Sequence, residues 1–100
     1  MSWEIRFDNK SMVLRGELTI FSVQDIRNRL LESLADHDEL TVDLGEVTEV
    51  DTAGLQLLLL AKRKPGKTVR FANHSDEVMR LLDLANIGQT LGDPLILQAD

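Results

Sequence analysis

The chain has no cysteine among its 100 residues. That absence excludes a disulfide framework and a thiolate metal site. Cations are scarce as well: eleven Lys and Arg stand against seventeen Asp and Glu, a formal net charge of −6. A general nucleic-acid binder needs a basic face, so no nucleic-acid partner is expected. No apolar run approaches about 18 residues, and no membrane-spanning segment is expected. Met1-Ser2-Trp3-Glu4-Ile5-Arg6 lacks the shape of a signal peptide, which points to a cytoplasmic protein. A Gly-rich phosphate loop of the P-loop or dinucleotide type is also missing, and no cofactor is expected.

The catalytic inventory is equally thin. An enzyme needs a nucleophile–base pair, paired carboxylates in a pocket, or metal ligands at a recognisable spacing. His37 and His74 each stand among polar loop residues with no second ligand nearby in sequence, so both are read as solvated. Asp36, Asp38 and Glu39 flank His37, but without the paired spacing of a zinc site. The expectation is a protein that is not an enzyme and holds no metal.

What is present is a globular composition, 43% apolar and 28% charged. One hundred residues make one domain, 1–100, with a single core. No linker, internal repeat or low-complexity segment interrupts it. Trp3, Ile5 and Phe7 alternate with charged residues, as in a half-buried strand. Asp8-Asn9-Lys10 is turn chemistry, and Met12, Leu14 and Gly16 continue into a second strand, which predicts a hairpin.

Ser22 is placed to cap a helix, with Asp25 as a capping-box partner and Phe21 and Ile26 as a hydrophobic staple. Val23, Ile26, Leu30 and Leu34 recur at helical spacing, leaving Arg27, Asn28, Arg29 and Glu32 to solvent. Leu40 to Leu44 reads as a strand, followed by a turn through Gly45. A second helix is predicted from about Thr52 to Lys62. Its leucines, Leu55 and Leu57 to Leu60, cover more than one face, so it is buried on several sides or part of an interface. Lys64-Pro65-Gly66-Lys67 is a turn and Thr68 to Ala72 a strand, giving a parallel strand–helix–strand unit over 40–72. Ser75 caps a third helix with Asp76 and Glu77 in its first turn and Val78, Leu81, Leu82 and Ala85 facing inward. Ile87-Gly88 closes that helix, and Leu95-Ile96-Leu97 forms a last strand or a packed tail.

Three clusters stand out. Asp51 is placed to cap the second helix, with the Thr52 hydroxyl at its first turn. A phosphate there would meet unpaired backbone N–H groups at a positive dipole end. Asp43 alternates away from Leu40, Val42 and Leu44, either solvated near the sheet's end or orienting the Thr52 loop. Lys62, Arg63, Lys64, Lys67 and Arg70 either attract an anionic partner or lipid surface, or complement a helix C-terminus; the second reading is preferred.

The run Val50-Asp51-Thr52-Ala53-Gly54-Leu55, between a strand and an apolar helix, resembles the STAS domain of bacterial anti-sigma-factor antagonists. Gly16-Glu17-Leu18 resembles the end of that family's second strand. The segment from Ser75 to Leu84 resembles its third helix, and Ala85-Asn86-Ile87 the turn after it. The resemblance implies an α/β fold with a mixed sheet of about four to five strands, an N-terminal hairpin and about three to four helices. It also implies that Thr52 is the phosphoacceptor of a partner kinase. The docking surface would comprise Asp51, Thr52, Ala53, Gly54, Gln56 and Thr19. Thr19 departs from the pattern, because many antagonists carry Asp there. In that respect the chain is closer to small STAS proteins that accompany chemotaxis genes.

The implied partner is an anti-sigma factor or serine/threonine kinase, or a chemotaxis-associated signalling protein. STAS subunits of phospholipid-transport ABC complexes also carry Asp-Thr-small-Gly-Leu, so an ABC ATPase is the alternative partner. The oligomeric state is left open.

Overall fold

Four strands and three helices alternate along the chain in the computed structural model, which describes residues 3–8 and 10–85. They are β1 (Trp3–Asp8), β2 (Ser11–Leu18), α1 (Val23–Asp36), β3 (Glu39–Val50), α2 (Thr52–Lys62), β4 (Thr68–Ala72) and α3 (Asp76–Ala85). The strands form one sheet in the order β1-β2-β3-β4. The hairpin pairs β1 with β2 antiparallel, Trp3 opposite Gly16 and Asp8 opposite Ser11. β2–β3 and β3–β4 are parallel, as helical crossovers require. This is the mixed α/β sheet that the sequence led us to expect.

Period-two alternation assigns the two sheet faces. Met12, Leu14 and Leu18 of β2, Leu40, Val42 and Leu44 of β3, and Val69 and Phe71 of β4 are buried. Val47 of β3, Ile26, Leu30 and Leu34 of α1, Leu55, Leu57, Leu58 and Ala61 of α2, and Val78 and Leu82 of α3 complete the core. The opposite sheet face is charged and exposed. It carries the ion pairs Arg6–Glu46, Arg15–Glu4, Arg15–Glu46 and Arg70–Glu39. Exposed pairs of this kind contribute roughly 0–1 kcal/mol each, so they set solubility and register more than stability.

The strand read as ending at Leu44 is longer. β3 runs for 12 residues with no turn at Gly45. The Asp43 carboxylate accepts the Gly45 N–H at 2.8 Å, and pairing with β2 resumes at Arg15–Glu46 after a register shift. The glycine at 45 marks an irregularity within the ladder instead of its end. A second shift follows at Gly16, whose φ of 96° lies where only glycine is comfortable.

The start of α1 also differs from expectation. Ser22 occupies the N-cap but makes no side-chain cap bond. Its Oγ donates to the Glu17 carbonyl at 2.7 Å and accepts the Thr19 N–H at 3.0 Å. The Ser22 N–H donates to the Thr19 carbonyl, so the capping box with Asp25 does not form. Phe21 is 76% exposed, and the staple with Ile26 is absent. A tight turn between β2 and α1 has taken the groups that the local motif would have used. Arg29 is half-buried with its guanidinium 5.8 Å from the Phe7 ring centre, and Phe7 is exposed instead of half-buried.

Other expectations hold. α2 and β4 have the predicted limits, and Ser75 Oγ accepts the Val78 N–H at 3.3 Å. The inward residues of α3 are Val78 and Leu82, with Leu81 packed against the core edge. The closures expected at Ile87-Gly88 and Leu95-Ile96-Leu97, and the side chain of Ala85, lie outside the described residues.

Candidate functional site

The site is built where β2 and β3 end side by side. Leu18 and Val50 are register partners, and each strand leads directly into a turn and a helix. Asp51 joins the two turns. One carboxylate oxygen, Oδ1, accepts the Gly54 N–H at 3.0 Å and caps α2. The other, Oδ2, accepts the Ile20 N–H at 2.9 Å across 31 residues of sequence. The Asp51 N–H also donates to the Leu18 carbonyl at 3.3 Å. Asp51 is thus a helix cap, as read from the sequence, and also a clamp on the turn before α1.

Gly54 makes the close approach possible. A Cβ there would overlap the Leu18 carbonyl oxygen and stand 2.8 Å from Leu18 Cγ. The glycine of the motif therefore lets the first turn of α2 lie against β2's backbone. We expect Asp51→Ala to destabilise the fold by about 1–2 kcal/mol, at the upper end for a lost cap, because a second backbone donor loses its acceptor too. Thermal unfolding and amide exchange at Ile20 and Gly54 measure it. Unchanged protection at Ile20 would show that the clamp is not formed in solution.

The predicted contact residues separate by depth. Thr52 and Gln56 are exposed, Asp51 and Ala53 are half-buried, and Gly54 is buried. Thr19 is only 6% exposed, and its Oγ1 accepts the Phe21 N–H at 3.3 Å. It shapes the turn from beneath. The turn's outer surface is Ile20, 66% exposed, and Phe21, 76% exposed. Sequence reading missed both as surface residues. The available signal was two large apolar residues between Thr19 and Ser22, outside any periodic segment. Glu17 and Glu49, paired across β2 and β3, give the same end an acidic border.

A family model described as "Mlab, STAS domain" matches residues 2–97. The chain belongs to the STAS domain family. No curated protein is similar enough to count as a match. Among solved structures it is similar to the anti-sigma factor antagonist SpoIIAA in its unphosphorylated form, with a TM-score of 0.67 at 18% identity. That likeness covers 88% of this chain and 84% of that one. An anti-sigma factor antagonist from Mycobacterium paratuberculosis gives a TM-score of 0.72 at 17% identity, covering 93% of this chain and 82% of that one. At these identities the likeness establishes the shared STAS fold.

The remaining polar candidates of this STAS domain have structural duties. Asp43 does not reach the Thr52 turn: its Oδ1 holds Gly45 and its Oδ2 accepts from Asn73 Nδ2 at 2.9 Å, tying β3 to the segment after β4. His37 follows α1, with Nδ1 3.0 Å from the Ser33 carbonyl. His74 is half-buried with both ring nitrogens shut off from solvent, and so is not the solvated residue expected. Among the described residues, no group of three His, Cys, Asp or Glu is placed to hold a metal ion. No described helix is long and apolar enough to cross a membrane. The basic stretch divides: Lys62 donates to the Val69 carbonyl at 2.9 Å, Lys67 pairs with Asp38 at 3.1 Å, and Arg70 pairs with Glu39 at 3.3 Å.

Proposed function

We propose that this STAS domain is a non-enzymatic, cytoplasmic protein-interaction switch. Its docking surface is the end of the sheet where Ile20, Phe21, Thr52 and Gln56 are exposed together. The observation that carries this reading is the Asp51 clamp, which holds both turns in one arrangement. A preordered apolar pair beside an exposed hydroxyl suits a partner that anchors on aromatic and aliphatic side chains. The partner class is an anti-sigma factor or serine/threonine kinase, or a chemotaxis-associated signalling protein.

Thr52 is the proposed control point. Phosphorylation adds about −1.5 to −2 charges at pH 7. The helix N-terminus tolerates that charge within the domain. A docked partner does not, because Glu17, Glu49 and Asp51 already make this end acidic and a buried unpaired charge costs several kcal/mol. The modified form would release its partner without refolding. A second reading is favoured by the hydroxyl residue itself, since STAS subunits of phospholipid-transport ABC complexes share Asp-Thr-small-Gly-Leu. In that case Thr52 is a permanent contact on the ATPase.

The test is a pair of variants. Thr52→Glu is expected to weaken capture of the partner from native lysate while leaving thermal stability nearly unchanged, since charge at this position is favourable by roughly 0.3–1 kcal/mol. Thr52→Ala keeps capture if Thr52 is a switch and loses it if Thr52 is an obligatory contact. Mass spectrometry of the captured material identifies the partner and any phosphothreonine. Two variants that both bind like the parent would place the functional surface elsewhere.

A further inference from the structure

A second surface runs along the outside of α1 and α2. Ala53, Gln56, Leu57 and Leu60 recur on one face of α2 at spacings of three and four residues, and Lys64 follows just past the helix end. Opposite them stand Arg27 and Leu31 on the outer face of α1. Between the helices lie two adjoining hollows of about 190 and 300 Å³, which share Arg27, Leu57 and Leu60. The floor is apolar, formed by Leu30, Leu34, Leu57 and Ala61, while Leu60 stands 62% exposed on the rim.

The charge of this trough is opposite to that of the molecule. Arg27, Arg63 and Lys64 border it, and no Asp or Glu lines either hollow. The chain as a whole carries −6. None of the three cations joins an ion pair among the described residues, whereas Arg6, Arg15, Lys67 and Arg70 all do. An apolar floor with three unspent cations is complementary to a ligand that is apolar on one side and acidic on its flanks. The shape selects the rest. A groove between two packed helices accepts the ridge of a third helix, and it offers no open strand edge to extend. From Ala53 to Lys62 α2 gives the trough a wall of about 14 Å at 1.5 Å per residue, or about two and a half turns.

We propose that the α1–α2 trough binds an acidic amphipathic helix of a protein partner. The helix lays its apolar face over Leu57 and Leu60 and sets carboxylates against Arg27, Arg63 and Lys64. The contact shares Gln56 with the docking end of the sheet but leaves Thr52 outside it, so it does not depend on the Thr52 switch.

The probe is a synthetic peptide of about 14 residues, long enough for marginal helicity, with Leu at i, i+3, i+4 and i+7 and Glu on both flanks. A matched peptide carries Lys in place of Glu. Both are titrated into the isotope-labelled full chain and followed by amide NMR shifts. The Glu peptide is expected to shift amides along residues 27–34 and 57–64, to bind more weakly as salt rises, and to lose about tenfold in affinity in the double variant Arg27→Glu/Lys64→Glu. Thr52→Glu is expected to bind it like the parent, so a failed switch and a failed trough are distinguishable. Equal binding of the Lys peptide, shifts confined to other surfaces, or no binding would overturn the proposal. So would self-association through this face in sedimentation, or protection of these amides by vesicles of phosphatidylglycerol in place of the peptide.

Discussion

Gly54→Ala is expected to destabilise the protein by about 3 kcal/mol or more, beyond the usual range for a single added methyl. Helix propensity predicts the reverse, a gain of about 1 kcal/mol from replacing glycine within a helix. The packing term is expected to win because the new Cβ would overlap the Leu18 carbonyl oxygen. That obstacle is backbone held in a parallel ladder, and it cannot rotate aside as a side chain end would. α2 must lift away from β2. The lift stretches the Asp51 clamp, because Gly54 and Ile20 hang on the two oxygens of one carboxylate. Urea unfolding of variant and parent decides between the two terms. A variant as stable as the parent, or more so, would show that α2 has room to move and that the glycine is not required for close approach.

Leu58→Ala is expected to cost about 2–5 kcal/mol through the cavity it leaves. Leu58 is 2% exposed on the inner side of α2. Leu60→Ala, two positions on, is expected to change stability by less than about 0.5 kcal/mol, because that side chain is 62% exposed. The same chemical change on one helix thus measures which face is buried. Denaturant midpoints with equal slopes provide the comparison. Equal losses at the two positions would mean that α2 is turned differently against the sheet, and the trough beside Leu60 would lose its rim.

Much of the architecture was legible in local signals. α2 could be bounded approximately, and its limits hold, because Asp51 caps it and the turn at Pro65-Gly66 separates it from β4. The N-terminal hairpin and the parallel unit over 40–72 followed from period and punctuation, and the Asp-Thr-Ala-Gly run pointed to the STAS fold. These are short-range effects: a cap, a turn or an alternation involves residues a few positions apart.

Tertiary structure decided what those signals could not. Ser22 has cap chemistry, but its hydroxyl serves the Thr19 turn because β2 brings the Glu17 carbonyl within reach. Gly45 has turn chemistry, but β3 passes through it because β2 pairs with the strand before and after it, at Asp43 and at Glu46. Phe21 fits a staple locally, but the Asp51 oxygen that pins Ile20 comes from 31 residues away and the turn leaves Phe21 outside. Leu55 to Leu60 offered no periodic face, and only contact with β3, β4 and α1 distinguishes buried Leu58 from exposed Leu60. The sequence by itself determined the elements, their order and the position of Thr52. Which apolar residues reach the surface, and so which surfaces a partner meets, was decided by long-range packing, since hydrophobic burial is non-directional and no local pattern encodes which face it claims.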